Sequence, residues 1–581
     1  MRRASRPTVC LLAALLLCCG QAPAWARPGA VQAVNAVADA YTRALRRQTL
    51  RPTLSAQSFS AWLRALSHYE ERLARVDPAR LDAQGRITYR MLKADFASQR
   101  EALTQGWTVR DLHGFVGVTG IVDALDELDR SSVAGWRRTL TVLARTSRYV
   151  DGFLELQNQA LAAGTVGPKL AIRSALATLA PLVSRRADRN PFLALERELA
   201  ESLAGRPELP ALQAELRDLL RENVLPAHRR LATHLAKRVL PRGGKVGADR
   251  EVYLRHMAAH LGPDHASPEE LHAWGRTEVE RLRGELWKVA RTVEPSARSV
   301  EEALAKLRAR RANHFGTADA LLGAVKGEIA HARRVARKMA PLPKSRVEVA
   351  PVPSYMETTT AALYWLKPGP PSKLVGEMQI NVGPLLGQQL RHELATLATH
   401  EVWGGHHLAA VVAMRQKGLP KYRREASFTA FDEGWALYAE QWRDEQGAFS
   451  PEERVGFLVG QLWRAARLVV DTGLHTGTLS PTAATAYFQR NAFTSRTAAK
   501  AEIERYVAEP AQALAYYVGK TQLLALREAV RKTLGRHYDE RAFHAKLLSL
   551  GSVPLAEARE AMLEWAERRR CRPLPNGRPP C

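Results

Sequence analysis

The chain has 581 residues, of which 46% are apolar and 25% charged, and its formal net charge is +26. These proportions are typical of soluble globular proteins and exclude global disorder. Only one segment, at the N-terminus, is apolar enough to concern a membrane, which excludes a multi-span membrane protein. The positive charge is spread along helices in which Arg alternates with Glu, and no aromatic-rich basic module or zinc-finger spacing appears. We therefore expect no nucleic-acid partner.

The first 26 residues have the pattern of a secretory signal peptide. Basic residues precede an uncharged, mostly apolar stretch, Cys10–Cys19, and Ala24-Trp25-Ala26 offers the small residues that signal peptidase requires. The stretch is too short to span a bilayer as a stable helix. A lipoprotein signal at Cys18 or Cys19 is less favoured, because the residues before them are not a small pair. A lipid anchor is expected only if that cysteine is lipidated.

Two cysteines, Cys571 and Cys581, remain after removal of residues 1–26, and both lie in the Pro-rich tail 571–581. In an oxidising compartment this pair can close a small ring, and otherwise the tail carries two exposed thiols. Both interpretations stay open. Neither makes cysteine the catalytic residue.

The region from residue 27 to residue 240 has a helical pattern almost throughout, with apolar residues three and four positions apart. The glycine-rich stretch 242–247 is the best candidate for a linker or hinge. We therefore predict an N-terminal helical region over residues 27–240 and a catalytic helical region over residues 241–570.

Strand signal is scarce. Polar and apolar residues alternate over Arg346–Val352 and over Glu377–Val382, with a loop rich in Pro and Gly, Lys367–Ser372, between them. The run from Leu385 to Ala398 then has a helical pattern. We predict a mainly α fold, in which a large helical body with a central cleft carries a small β-sheet beside the metal motif described next.

One short segment combines the residue types of a zinc site, because His400-Glu401 is followed by His406-His407. Zinc peptidases place two neutral imidazoles on one helix face and a carboxylate one residue after the first histidine. Their second histidine usually lies four residues after the first, where this chain has Gly404. On a straight helix, His406 would lie about 9 Å beyond His400 along the axis. Two ligands that are each about 2 Å from one ion cannot be so far apart.

Gly404 and Gly405 offer a way to interrupt the helix, because glycine adopts backbone conformations that are closed to other residues. A two-residue bulge would bring His406 to the place where the second ligand normally lies. His407 would then point to the cleft or to a partner of the ligands, and it is the alternative second ligand. Surface histidines beside a chance glycine pair are the other interpretation of this segment.

A second segment offers a third ligand. In metallopeptidases whose third ligand is glutamate, that residue comes from a following helix in the order Glu-Gly-aromatic-Ala, with a tyrosine two residues later. Glu433 fits this order, and Glu440 lies two helical turns further on the same face, where it can orient a histidine. Alone, Glu433 would be an ordinary charged helix residue. Together, the two segments predict Zn2+ bound by His400, His406 and Glu433.

Two later segments place polar residues in apolar surroundings. Arg467, Asp471 and His475 recur every four residues and form either a buried ion-pair stripe or a group that acts on the substrate. Tyr516 serves either aromatic core packing or, through its hydroxyl, an oxyanion. We take Glu401 as the candidate general base and Tyr516 and His475 as candidates to stabilise the oxyanion.

These segments resemble, in the same order, the signatures of the bacterial family called domain of unknown function eight-eight-five. The resemblance spans roughly residues 30–570. The family usually has Pro-Gly before the two histidines, whereas this chain has Gly404-Gly405. Members are regarded as zinc peptidases, so the resemblance implies a mainly helical fold with a cleft and peptidase activity, without a defined substrate. The motifs are His400-Glu401-x-x-Gly404-Gly405-His406-His407, Glu433-Gly434-Trp435-Ala436-Leu437-Tyr438-Ala439-Glu440, Arg467 to His475, and Pro510-x-Gln512-x-x-x-Tyr516-x-Val518-Gly519-Lys520.

The sequence therefore predicts an exported zinc metallopeptidase, periplasmic or extracellular and either free or attached to the envelope, that cleaves peptides with water activated by Glu401. The alternative from another class is a non-catalytic binding protein of the cell envelope on the same scaffold. Glu401 argues against it, because binding alone has no need for a base. Substrate length, the choice between exo- and endo-cleavage, and the oligomeric state stay open.

Overall fold

The computed structural model describes residues 29–49, 55–104 and 120–570, apart from positions 123, 126, 127, 248, 354, 355, 358, 359 and 368. The predicted signal peptide and the tail with Cys571 and Cys581 lie outside the described residues, so both remain predictions. No helix among the described residues is long and apolar enough to cross a membrane.

Helices dominate the described chain, and the prediction of a mainly α fold is confirmed. The N-terminal helices are α1 (Ala30–Thr49), α2 (Ala56–Ala74), α3 (Ala83–Thr104), α4 (Val133–Leu143), α5 (Thr146–Ala163), α6 (Lys169–Leu182), α7 (Pro191–Ser202), α8 (Leu209–Leu219) and α9 (Leu225–His234). Two π-helical segments, Leu220–Val224 and Leu235–Val239, follow α8 and α9.

Fourteen further α-helices follow in the described chain, and the sheet lies between the fourth and the fifth of them in sequence. They are α10 (Arg250–Leu261), α11 (Pro268–Val293), α12 (Val300–Ala309), α13 (Ala318–Met339), α14 (Leu394–Glu401), α15 (His406–Met414), α16 (Lys421–Arg424), α17 (Thr429–Glu445), α18 (Pro451–His475), α19 (Pro481–Asn491), α20 (Arg496–Ala508), α21 (Ala515–Leu534), α22 (Glu540–Leu548) and α23 (Leu555–Arg570).

The apolar side chains form separate clusters. One cluster joins α1, α2 and α3, and a second joins α4 to α9. The largest is built mainly from α10–α12 and α15–α23, and it also takes in Ile87, Met91 and Ala171 from the N-terminal helices. Residues from both sides of the stretch 242–247 thus share this core. The predicted division into regions 27–240 and 241–570 stays a prediction.

The sheet has three strands rather than the two that the sequence predicts. These are β1 (Arg346–Pro351), β2 (Ala362–Leu366) and β3 (Val375–Ile380), in the order β1-β3-β2. β3 pairs parallel with β1 and antiparallel with β2. Its residues Met378 and Ile380 pack with Leu394 and Ala398 of α14, so the sheet lies beside the helix that carries the motif.

The helical run predicted from Leu385 to Ala398 is wrong in its first part. Two short 3-10 segments, Leu386–Gln388 and Arg391–Glu393, precede α14, which begins at Leu394. Gly387 contributes to the difference, because glycine weakens the interior of an α-helix.

Two glycines let α17 and α21 approach unusually closely. A Cβ atom at Gly434 would lie 2.5 Å from the carbonyl carbon of Gly519, and one at Gly519 would lie 1.9 Å from the carbonyl oxygen of Ala430. No larger residue fits at either position without moving a backbone. The contact sets Glu433, next to Gly434, beside the helix that carries Tyr516.

Candidate metal centre

The predicted interruption of the motif helix is present. α14 ends at Glu401 and α15 begins at His406. The amide of Gly405 donates to the carbonyl of Thr399 at 2.9 Å, and that of Leu408 donates to Val402 at 3.2 Å. Each bond spans six residues instead of the four of an α-helix, so two extra residues are accommodated. This is the bulge that the spacing of the histidines requires.

Both glycines of the break occupy positions that larger residues do not fit. Gly404 has a φ of +127°, a conformation that other residues rarely adopt. A Cβ atom at Gly405 would lie 1.7 Å from the carbonyl oxygen of His400, which is impossible without moving that backbone. Gly405 therefore packs directly against the backbone of His400.

The break brings His400, His406 and Glu433 together. One candidate ligand atom from each lies within 4.8 Å of the others. Nε2 of His400 is 3.4 Å, and Nε2 of His406 is 3.3 Å, from Oε2 of Glu433. The two imidazole rings are nearly perpendicular, with centroids 4.8 Å apart. Oε2 of Glu433 is buried and has no hydrogen-bond partner among the described residues.

A chain of hydrogen bonds fixes the orientation of His400. Its Nδ1 lies 2.7 Å from Oε1 of Glu440, as expected for the second carboxylate on that helix face. Gln461 donates to the other oxygen of Glu440 at 3.0 Å, and Lys520 donates to the amide oxygen of Gln461 at 2.7 Å. All three partners are buried. Since the Glu440 carboxylate only accepts, Nδ1 of His400 carries a proton, which leaves Nε2, facing Glu433, as the nitrogen that could bind a metal ion.

The carboxylates around His400 and His406 favour a positive charge in the cluster. Burial by itself lowers the pKa of His400, but its contacts with Glu433 and Glu440 outweigh burial and raise the pKa to about 10. Burial also disfavours the charged form of His406, but Glu433 favours it. The pKa of His406 is raised as a result. Burial acts to raise the pKa of Glu433, but the two histidines hold it well below its usual range. Protons and a cation would therefore compete for these atoms.

His407, the alternative second ligand, lies apart from the cluster. Its Nδ1 is 2.7 Å from the hydroxyl of Tyr364, and its Nε2 is 3.0 Å from the hydroxyl of Ser345. The side chain is fully buried and packs edge-on against Trp403. With both nitrogens engaged, His407 joins the sheet to the motif, and the structure brings His406 to Glu433 instead.

Glu401 and Tyr516, two of the three catalytic candidates, border the cluster. Burial and then the charge of Glu401 raise the pKa of Tyr364, and the charge of Glu401 also favours the charged forms of His400 and His406. Burial and then the charge of Glu433 raise the pKa of Tyr516. The guanidinium of Arg467 lies 4.3 Å from the centroid of the Tyr516 ring.

His475, the third candidate, has other neighbours. Its ring stacks on Tyr253 with centroids 4.7 Å apart, and its Nε2 lies 3.1 Å from the backbone oxygen of Tyr506. In the same stripe, Asp471 accepts from the hydroxyl of Tyr253 and from the amide of Ala511, which has a φ of +66°. The described contacts of His475 and Asp471 hold together the turn before α21.

Gln461, Ser345 and Tyr364 were not singled out from the sequence, and Lys520 was named only as the end of a family motif. Gln461 is the most informative of these, because it is a fully buried amide between Val459 and Leu462 on a helix that is otherwise apolar there. A buried amide in such surroundings requires partners, which is a signal that the sequence does contain. Which partners it takes depends on helices that are distant in the chain.

The three ligand candidates fit a divalent metal ion. Two neutral imidazoles and one carboxylate are the donor set of catalytic zinc sites. The unpartnered oxygen of Glu433 faces the two Nε2 atoms, and buried oxygens normally have a partner. About a fifth of the His406 and Glu433 side chains remains exposed, so solvent and small ions reach the cluster.

Among the solved structures that match, two share the fold over more than nine-tenths of this chain. A crystal structure described as "the putative lipoprotein from Colwellia psychrerythraea" has a TM-score of 0.82 and 21% identity, and the match covers 93% of this chain and 100% of that one. A second, "a putative lipoprotein of unknown function from Shewanella oneidensis", has a TM-score of 0.69 and 19% identity over 92% of this chain and 100% of that one. Both share the fold.

A comparison with curated protein sequences finds no match. The family described as "Bacterial protein of unknown function (DUF885)" matches residues 39–562. That range contains every segment that carries the resemblance in sequence. The chain therefore belongs to the DUF885 family of bacterial proteins.

Proposed function

We propose that the protein is an exported, zinc-dependent hydrolase, a metallopeptidase. The observation that carries the proposal is the convergence of His400, His406 and Glu433, whose ligand atoms lie within 4.8 Å of one another. Glu440 supports it, because a carboxylate on the far nitrogen of a ligating histidine is the usual device for fixing such a ligand. A zinc ion in this position supplies Lewis acidity, which activates water and polarises a carbonyl group.

The residues around the cluster supply the remaining chemistry. Glu401 directly follows His400 and is partly exposed, so it is placed to take a proton from the attacking water. Tyr516 carries a phenol near Glu433, and the raised pKa keeps it protonated at neutral pH. Its hydroxyl is then able to donate a hydrogen bond to the oxyanion that develops on the substrate carbonyl. We assign no contact with the substrate to His475, whose neighbours lie elsewhere.

Peptide is the proposed substrate, and the periplasm or the extracellular space is the proposed location. The N-terminal pattern of residues 1–26 supports export. Two proteins with the same fold are described as lipoproteins, which agrees with a place at the cell envelope. Neither observation identifies the peptide.

The experiment uses the chain without residues 1–26, loaded with zinc and offered a peptide library. We expect Glu401→Gln to retain zinc and fold but to lose roughly 100-fold or more in kcat, the scale for a lost general base. The control is Glu528→Gln, which changes an exposed carboxylate on α21 that pairs with Arg531. Equal turnover by Glu401→Gln and wild type would refute the mechanism. A zinc-loaded wild type that cleaves no peptide would favour the envelope binding protein.

A further inference from the structure

A basic cavity of about 410 Å3 lies between α13 and β1, and Trp403 forms part of its wall. Ser345 and apolar residues of both elements complete the lining, and no aspartate or glutamate takes part. Its volume lies within the range of small-molecule sites. The cations in its wall are Lys326, Arg333, Arg334, Arg337 and Arg346.

Four of these cations lie on one side of α13. Lys326, Arg333 and Arg337 recur at intervals of seven and four residues, which places them on one helix face, with Arg334 beside them. Among the residues that the structure describes, no ion pair joins any of the four to an acid, whereas Arg346 pairs with Glu348 at 3.0 Å. Like charges this close repel one another, so a bound anion would stabilise the face.

An acid takes no part in this lining, which distinguishes it from the surroundings of Arg281 on α11, where Glu278 and Glu285 each lie 2.7 Å away. The four cations of α13 are therefore a local concentration of positive charge in a concave part of the surface.

Arg333 is the most constrained of the four. Its guanidinium lies 5.0 Å from the centroid of the Trp403 ring, and its Nε is buried with no hydrogen-bond partner among the described residues. A buried donor without a partner costs on the order of 1–3 kcal/mol. Arg333 therefore places a charged group with an unpartnered donor in the wall of the cavity.

The cavity is separate from the metal centre. It lies at β1, one edge of the sheet, and none of His400, His406 and Glu433 lines it. Two lining residues connect it to the motif: Trp403 lies in the break between α14 and α15, and Ser345 contacts Nε2 of His407.

We propose that this cavity binds a phosphate-bearing ligand with an apolar part. Several arginines favour phosphate over a single carboxylate, because the ligand needs more than one negative charge and guanidinium forks bind phosphate oxygens in pairs. Ile329, Val347 and the ring of Trp403 would cover the apolar part. The ligand source is either a soluble phosphate ester or the headgroup of an anionic lipid, since the two present the same group.

The test measures binding of inorganic pyrophosphate to the full mature chain by titration calorimetry. We expect saturable binding, weakened at least about tenfold in the double variant Arg333→Gln/Arg337→Gln, as follows from losing two charge-assisted donors. The matched control is Arg137→Gln/Arg138→Gln, which removes two exposed charges from α4 and should bind as the wild type does. Binding should persist in His400→Ala, so it stands apart from the proposed zinc site.

A second arm separates the two sources. Vesicles of phosphatidylglycerol are compared with vesicles of phosphatidylcholine for the wild type and both double variants. Binding to phosphatidylglycerol that Arg333→Gln/Arg337→Gln abolishes indicates a lipid headgroup, whereas pyrophosphate binding alone indicates a soluble phosphate ester. The proposal is overturned if the wild type binds neither probe, or if the α13 variant, with a native circular dichroism spectrum, binds as well as the α4 variant.

Discussion

His406 and His407 are adjacent in the chain and lie in opposite kinds of surroundings. His407 is enclosed by Tyr364, Ser345 and Trp403, and both of its nitrogens have a hydroxyl partner. His406 instead points with His400 at Glu433, whose oxygen lacks a hydrogen-bond partner among the described residues. Residue type alone therefore does not identify a metal ligand. The proposed assignment of His406 rests instead on its convergence with His400 on the unpartnered oxygen of Glu433.

The largest expected effect is on metal content. His400→Ala and Glu433→Ala each remove one of three donors, so bound zinc should fall from about one ion per chain to a small fraction of that. His407→Gln should keep its zinc, because this side chain is engaged by hydroxyls of the sheet. Metal analysis after dialysis against a mild chelator measures both. Loss of zinc in His407→Gln with retention in His400→Ala would show that His407, and not His400, binds the ion.

The next effect concerns the break itself. Gly405→Ala places a methyl group 1.7 Å from the His400 carbonyl, so the backbone must move and the two histidines must separate. We expect zinc affinity to fall at least about 100-fold, more than for the loss of an outer partner. Gly418→Ala is the control, because a Cβ atom there meets nothing within 4 Å. A Gly405→Ala protein that binds zinc normally would show that the break is not needed.

A smaller effect is expected from the hydrogen-bond chain behind His400. Glu440→Gln keeps the size of the side chain but replaces one accepting oxygen with a donor, which conflicts with Nδ1–H of His400 or with the amide of Gln461. Zinc affinity should fall about 10- to 100-fold without loss of fold. Competition with a chromogenic chelator measures the zinc affinity. An unchanged affinity would mean that packing alone orients His400.

The smallest effect is a pH dependence from a histidine outside the cluster. Burial lowers the pKa of His475 to about 4, below its ordinary value of 6.5. The unfolded chain therefore binds the proton more tightly, and stability contributed by neutral His475 is lost as the pH falls from about 6.5 to about 4. Since Gln retains a donor for the Tyr506 carbonyl, His475→Gln should reduce the fall in Tm between pH 7 and pH 4.5. An identical fall in both proteins would contradict this.

The sequence predicts the parts of the site that depend on local spacing. The break at Gly404-Gly405, the convergence on Glu433 and the contact of Glu440 with a histidine all follow from residue intervals within two segments. The hydrogen bonds from Gln461 to Glu440 and from Lys520 to Gln461 could not be predicted, because they depend on how α18 and α21 pack on α17.

The sheet shows the same limit. β2 was missed because Ala362–Leu366 is apolar throughout and has no alternation of polar and apolar residues. Two of its four large residues, Leu363 and Trp365, are exposed, and nothing in the sequence distinguishes them from Tyr364 and Leu366. Only pairing with β3 makes this segment a strand, and pairing is a property of the whole fold.

The break also changes how the motif should be counted. Two residues inserted into a continuous helix rotate everything after them by about 200°, which would turn the second ligand away from the first. Here the inserted pair is taken up by hydrogen bonds that span six residues, so the register after it is restored. Deleting Gly404 and Gly405 would leave His-Glu-Val-Trp-His, the ordinary zinc-helix spacing. This chain and the common motif thus differ by an insertion, and the candidate ligands His400 and His406 keep the relation that the common spacing gives. Sequence searches that require a fixed interval will therefore miss this correspondence.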